Sequence, residues 1–152
     1  MANKKIYLGQ DFSVENCTNG LGSIYLAGPY PKTWISPLVK KLDKSLQNVT
    51  IFIPDYPANT KYTISRKETF QWQETALSMV SIISFWFPSG NITDATPYID
   101  FGRLLNTERV FLGIEDKKHN QYLEYLFYKT HQLYPSDSMD NHVEMIAHWF
   151  KE

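Results

Sequence analysis

The stretch Ile82-Ile83-Ser84-Phe85-Trp86-Phe87, closed by Pro88, is apolar with almost no alternation. A strand with one wet face alternates apolar and polar residues. One that does not must be covered on both faces, as inside a parallel sheet flanked by helices. Val49 to Pro54 (Val-Thr-Ile-Phe-Ile-Pro) and Arg109 to Ile114 (Arg-Val-Phe-Leu-Gly-Ile) have the same character, as does Ser23 to Ala27 (Ser-Ile-Tyr-Leu-Ala). The last runs into Gly28-Pro29-Tyr30-Pro31, where the chain must leave the sheet sharply. Lys5 to Gly9 is a further short strand, and His131 to Tyr134 a short last one. Helical patterns fill the intervals. Trp34 to Gln47 carries Trp34, Ile35, Leu38, Leu42 and Leu46 at helical spacing, with Thr33 as its cap. Glu68 to Met79, Thr96 to about Asn106, Asn120 to Lys129 and Asp140 to Lys151 follow. Thr96 is a natural cap for the third of these, with Pro97 at its first turn.

Strands alternating with helices predict an α/β domain with a doubly wound parallel sheet. Counted from Ser23, the five strands take the flavodoxin-like order 2-1-3-4-5, with Lys5 to Gly9 as an extra edge strand. The 152 residues suit one domain, 1–152, with a sizeable core. In such a sheet ligands bind where the strand order reverses, outside the carboxyl ends of the strands. The loops after Ala27 and Phe87 should therefore face each other.

Several function classes are disfavoured. Net charge is −1 with no basic block, so nothing predicts a sequence-independent grip on nucleic acid. The lone Cys17 excludes an internal disulfide framework and reads as incidental. No apolar leader and no 18-residue apolar run is present, so a cytoplasmic protein without a membrane span is expected. The sequons at Asn16, Asn48 and Asn91 read as chance matches. His119 and His131 stand alone, and His142 and His148 lie six apart on one helix, so no metal site is expected. There is no Walker A or Gly-x-Gly-x-x-Gly pattern and no Gly-x-Ser-x-Gly elbow, and no cofactor is expected. Pro29 and Pro31 have no N–H to offer a phosphate, which argues against an FMN-type cradle after Ala27. Tyr25, Tyr30, Trp34 and Trp86 offer flat rings and hydroxyls instead, suited to a base and a sugar.

The chemistry is expected after Phe87. Asp100 falls in the first or second turn of a helix, where backbone N–H groups and the helix dipole favour the ionised form. A carboxylate so held can attack an anomeric carbon. Asp94, six residues earlier, can bind a hydroxyl or pass a proton. Gly102 would let the helix backbone approach closely. Each of these residues also has a plain structural reading, as helix electrostatics, a turn residue or core packing.

The ordered pieces Ile24-Tyr25-Leu26-Ala27-Gly28-Pro29-Tyr30-Pro31, Trp34, Phe52-Ile53-Pro54, Trp72 with Ala76-Leu77, Phe85-Trp86-Phe87-Pro88, Ile99-Asp100-Phe101-Gly102 and Val110-Phe111-Leu112-Gly113 resemble the nucleoside 2-deoxyribosyltransferase-like family. The resemblance spans roughly residues 5 to 130. It implies a flavodoxin-like fold, a homo-oligomer, and cleavage of the N-glycosidic bond of a nucleoside or nucleotide with transfer of the sugar to another base or to water. It puts Asp100 on the nucleophile, Asp94 on the sugar-binding acid and Tyr25 on the tyrosine that holds the nucleophile. Tyr7, in Ile6-Tyr7-Leu8-Gly9, is the alternative for that tyrosine. Gln73 falls on the acid that handles the base, and Gly28, Pro29, Tyr30, Trp34, Trp72, Trp86 and Pro88 would surround the substrate. Two departures stand out. The family nucleophile is Glu, so Asp100 is shorter by one carbon–carbon bond, about 1.5 Å. Gln73 cannot give or take a proton at neutral pH, and its neighbour Glu74 is turned about 100° away on the helix. These changes also admit a second expectation, a nucleotide- or ADP-ribose-binding protein with little turnover.

Overall fold

The computed structural model describes residues 2–12, 22–57 and 63–151. Cys17 and Asn16 lie outside the described residues. The elements run β1 (Lys4–Tyr7), β2 (Gly22–Ala27), α1 (Ile35–Ser45), β3 (Val49–Ile53), α2 (Arg66–Met79), β4 (Ile82–Phe87), α3 (Thr96–Leu104), β5 (Val110–Ile114), a 3-10 turn (Lys117–His119), α4 (Gln121–His131) and α5 (Met139–Lys151).

All five strands are parallel, in the order β1-β3-β2-β4-β5. This is the flavodoxin-like doubly wound arrangement. The chain steps from β2 outward to β3, then crosses back to place β4 on the other side of β2, with Tyr25 opposite Ile83 and Ala27 opposite Phe85. Strand periodicity then divides the core. Tyr25, Ala27, Phe52, Ile83, Phe85 and Phe87 face α2, α3 and α4, which contribute Trp72, Ala76, Phe101, Leu123 and Phe127. Ile24, Leu26, Ile51, Ile53, Ile82 and Trp86 face α1 and α5, which contribute Leu38, Leu42, Val143 and Ile146. Both faces of β4 are therefore buried along its whole length, which accounts for its lack of alternation.

Four local expectations are corrected. His131–Tyr134 is not a strand. The His131 ring hydrogen-bonds the Leu105 carbonyl at 2.6 Å, α4 continues to His131, and Gln132 ends it in a left-handed conformation. The chain then reaches β5 only through Ser136, whose N–H and carbonyl pair with Leu112 and Ile114. Neither Thr33 nor Thr96 caps a helix: Trp34 and Ala95 precede α1 and α3, without side-chain caps. Gly102 is exposed, and a Cβ there would meet open space, so it answers no close approach. α2 has a start signal of its own: Ser65 and Glu68 form a reciprocal capping box that starts the helix at Arg66.

On the α1/α5 side, His142 is buried at 1% exposure. Its Nε2 lies 2.7 Å from Ser84 Oγ, its ring packs 5.6 Å from Trp86, and its Nδ1 is without a hydrogen-bond partner among the described residues. Burial lowers its pKa from 6.5 to about 4. The unfolded chain therefore takes up a proton between those values that the folded chain refuses, and stability falls as pH falls through that window. Between pH 7 and pH 4 this group alone should remove about 3 kcal/mol of folding free energy. Urea unfolding of the protein and of His142→Gln across this range checks it: the variant should show a correspondingly shallower loss.

Candidate active site

The winding of the sheet brings the ends of β2, β3 and β4 together. Gly28 must be glycine here, since a Cβ would fall 2.4 Å from the Trp34 ring and 2.6 Å from the Trp86 carbonyl. The loop is thus pressed flat against β4, and the Pro29 carbonyl accepts the Trp34 indole N–H at 2.9 Å. Asp94 then bolts the two loops together. One of its oxygens accepts the Tyr30 N–H and the other the Thr96 N–H, each at 3.1 Å. The second bond satisfies one of the free amides of the first turn of α3, the work expected of the Thr96 hydroxyl. Each Asp94 oxygen keeps acceptor capacity for a ligand.

A cavity of about 160 Å³ opens beside this junction, lined by Tyr25, Gly28, Gln73, Asp94 and Asp100 among the predicted residues. Lys32, Phe70, Pro54, Thr96 and Pro97 also line it. Asp100 stands on the second turn of α3, its side chain 18% exposed, and its Oδ1 accepts Arg103 Nη2–H at 2.9 Å. The same guanidinium grips Glu74 through both its terminal nitrogens, at 2.6 and 3.3 Å. These bonds raise the Arg103 pKa further, so it is a permanent cation. Glu74 is thereby engaged outside the cavity, and only Gln73 of the pair enters it. Arg103 stands at the i+3 ion-pair spacing from Asp100 along α3, a signal that the sequence reading does not use.

Tyr25 lies buried at the floor. Burial, with the charges of Asp100 and Glu74 behind it, pushes its phenol well above the ordinary range, so it keeps its proton. Its coupling to Asp100 is electrostatic; no hydrogen bond joins the two among the described residues. Tyr7 packs against the cluster on the other face of the sheet, away from Asp100.

The remaining aromatic candidates are placed elsewhere. Trp72 is core: its ring stands 6.4 Å from Tyr25 and 6.1 Å from Phe52, and its N–H donates to the Gln10 carbonyl at 3.0 Å. Trp34 and Trp86 are buried on the α1/α5 face. Tyr30 turns its ring to solvent while its amide serves Asp94. Pro29 and Pro88 do not line the cavity. The exposed ring at its mouth is Phe70, one helical turn before Gln73 and 51% exposed.

A larger groove of about 1130 Å³ runs along β5 and α5, past Lys41, Phe111, His142 and Trp149. It contains none of the residues that converge at the strand ends, so its size does not make it the chemical site. Among the described residues no group of three or more His, Cys, Asp or Glu side chains is placed to hold a metal ion. No described helix is long and apolar enough to cross a membrane. Comparison with protein-family models and with curated proteins finds no match to this chain.

Proposed function

We propose that the protein cleaves the N-glycosidic bond of a (2-deoxy)nucleoside or nucleotide, with Asp100 as the nucleophile, and passes the sugar to a second base or to water. The observation that carries this is convergence: Tyr25 from β2, Gln73 from α2, Asp94 from the β4–α3 loop and Asp100 from α3 share one small cavity. Arg103 holds Oδ1 of Asp100, which leaves Oδ2 as the attacking oxygen. Asp94 is already anchored by two amides and offers its remaining lone pairs to sugar hydroxyls. Tyr25 supplies a fixed donor near the carboxylate. Two successive displacements at C1′ give net retention when a base is the acceptor.

The cavity is smaller than the roughly 300 Å³ at which sites begin to enclose a drug-sized ligand, so it takes one ring, the sugar. The base lies over the mouth, stacked on Phe70, with the Gln73 amide at its edge. Phe70→Ala should therefore raise KM about fivefold, the equivalent of roughly 1 kcal/mol of stacking, and leave kcat nearly unchanged. Steady-state kinetics of the variant checks this.

Incubation with each deoxynucleoside and a free acceptor base, followed by chromatography, tests the reaction. Base exchange marks a transferase, and released base without exchange a hydrolase. The Arg103 ion pair, which draws charge from Asp100, favours a second reading: a binding protein for a nucleotide or ADP-ribose-like ligand. No turnover together with a calorimetric binding signal would select it. Under either reading we place the protein in the cytoplasm as a homo-oligomer. The exposed row Tyr122, Tyr125 and Tyr128 on α4 supports the latter, since tyrosine is enriched at protein interfaces.

A further inference from the structure

Cleavage of a glycosidic C–N bond leaves an electron pair on the base, and ordinary bases depart poorly as anions. A proton must meet that pair. The cavity is short of groups able to deliver one. Asp94 and Asp100 act as acceptors, with Asp94 bonded to two amides and Asp100 to Arg103. Gln73 has no titratable proton. Tyr25 holds its own tightly because it is buried.

Lys32 remains. It lies just beyond Tyr30, whose amide is tied to Asp94, and it lines the cavity half-buried. The ion pairs among the described residues leave it out. The charges that face it are those of Asp94, Asp55 and Asp100, from the loops after β4 and β3 and from α3. A permanent ion-pair partner would keep its protons occupied; a cation within an acidic cavity, without one, has them available.

We infer that Lys32 is the proton donor to the departing base, standing in for the acid absent at Gln73. The inference rests on the N-glycosidic reading of the site. Burial lowers the Lys32 pKa while the three aspartates oppose that shift. The ammonium is thus retained by its surroundings yet made a better acid than an exposed lysine. The step balances. Oδ2 of Asp100 bonds to C1′, the C1′–N bond breaks with its electron pair going to the base nitrogen, and a proton passes from Lys32 Nζ to the base. A neutral amine is left. When the acceptor base or water attacks C1′ and releases Asp100, its proton returns to the amine.

Leaving-group chemistry tests this. The base of 7-methyl-2′-deoxyguanosine departs as a neutral molecule without a proton, whereas that of 2′-deoxyguanosine needs one. Lys32→Met should lower kcat about 100-fold on 2′-deoxyguanosine and less than about threefold on the methylated substrate, which also shows that the variant is folded. Lys32→Arg should not restore the rate, because a guanidinium does not release its proton. An equal loss on both substrates, or full rescue by Arg, would overturn the assignment and make Lys32 a binding cation. An unaltered protein that turns over none of the deoxynucleosides, the methylated one included, overturns the glycosidic reading itself, and the Lys32 role with it.

Discussion

Asp100→Asn is expected to reduce the proposed glycosidic-bond cleavage by on the order of 10³-fold or more, the scale of removing a covalent nucleophile. The amide nearly matches the carboxylate in size and can still occupy the space beside Arg103, so the loss is one of nucleophilicity. A quenched reaction with the unaltered protein should trap a glycosyl adduct on Asp100, visible by mass spectrometry of peptides, and the variant should show none. An undiminished Asn variant would remove Asp100 from its role. Asp100→Glu is informative for a different reason. It restores the residue type implied by the family resemblance but advances the carboxylate about 1.5 Å into a small cavity. Misplacement on that scale costs about 100-fold. The Glu variant should thus also lose activity.

The second large effect concerns Trp86. It is 1% exposed, and its ring lies so close to Gly113 that a Cβ there would come within 2.4 Å of it. The His142 ring closes the other side at 5.6 Å. Trp86→Ala should therefore cost about 3–5 kcal/mol of folding stability, read by urea unfolding. The fraction that stays folded should keep the KM of the unaltered protein, because the indole faces α1 and α5 and the cavity lies on the other face of β4. A raised KM at unchanged stability would instead put Trp86 against the substrate. Trp86 does touch the site, but through its backbone: its carbonyl, with the Trp34 ring, forbids a side chain at Gly28.

Aromatic residues show where reading from the sequence alone stops. Trp34, Trp72, Trp86 and Phe70 are all flat, and nothing in their local patterns says which is wet. Trp72 and Phe70 are two residues apart on α2, so they point in different directions around the helix. Which direction is the core depends on where Tyr25 and Phe52 lie, and those come from other strands. Lys32 was hidden for the same reason. In sequence it is one lysine after two prolines; its importance comes from Asp94 and Asp100, more than sixty residues on.

The parallel, doubly wound sheet was determined locally. Strands such as Val49–Ile53 and Ile82–Phe87 have no polar face, and only a sheet covered on both sides accepts them. The same pattern makes the carboxyl ends of β2 and β4, with Asp94 and Asp100 beyond β4, the candidate site. The sixth position in the sheet was not so determined. His131–Tyr134 has a strand-like composition, but the hydrogen bond from His131 to Leu105 and the left-handed Gln132 keep it out of the sheet. The partners of each acid were likewise decided by tertiary structure. Arg103 divides itself between Asp100 and Glu74, Asp94 joins two loops, and Gln73 rather than Glu74 enters the cavity. Local propensity can say that a segment is buried or that an acid starts a helix. Which groups meet in a cavity is set by crossovers that bring distant residues together, and that information is carried only by the packed fold.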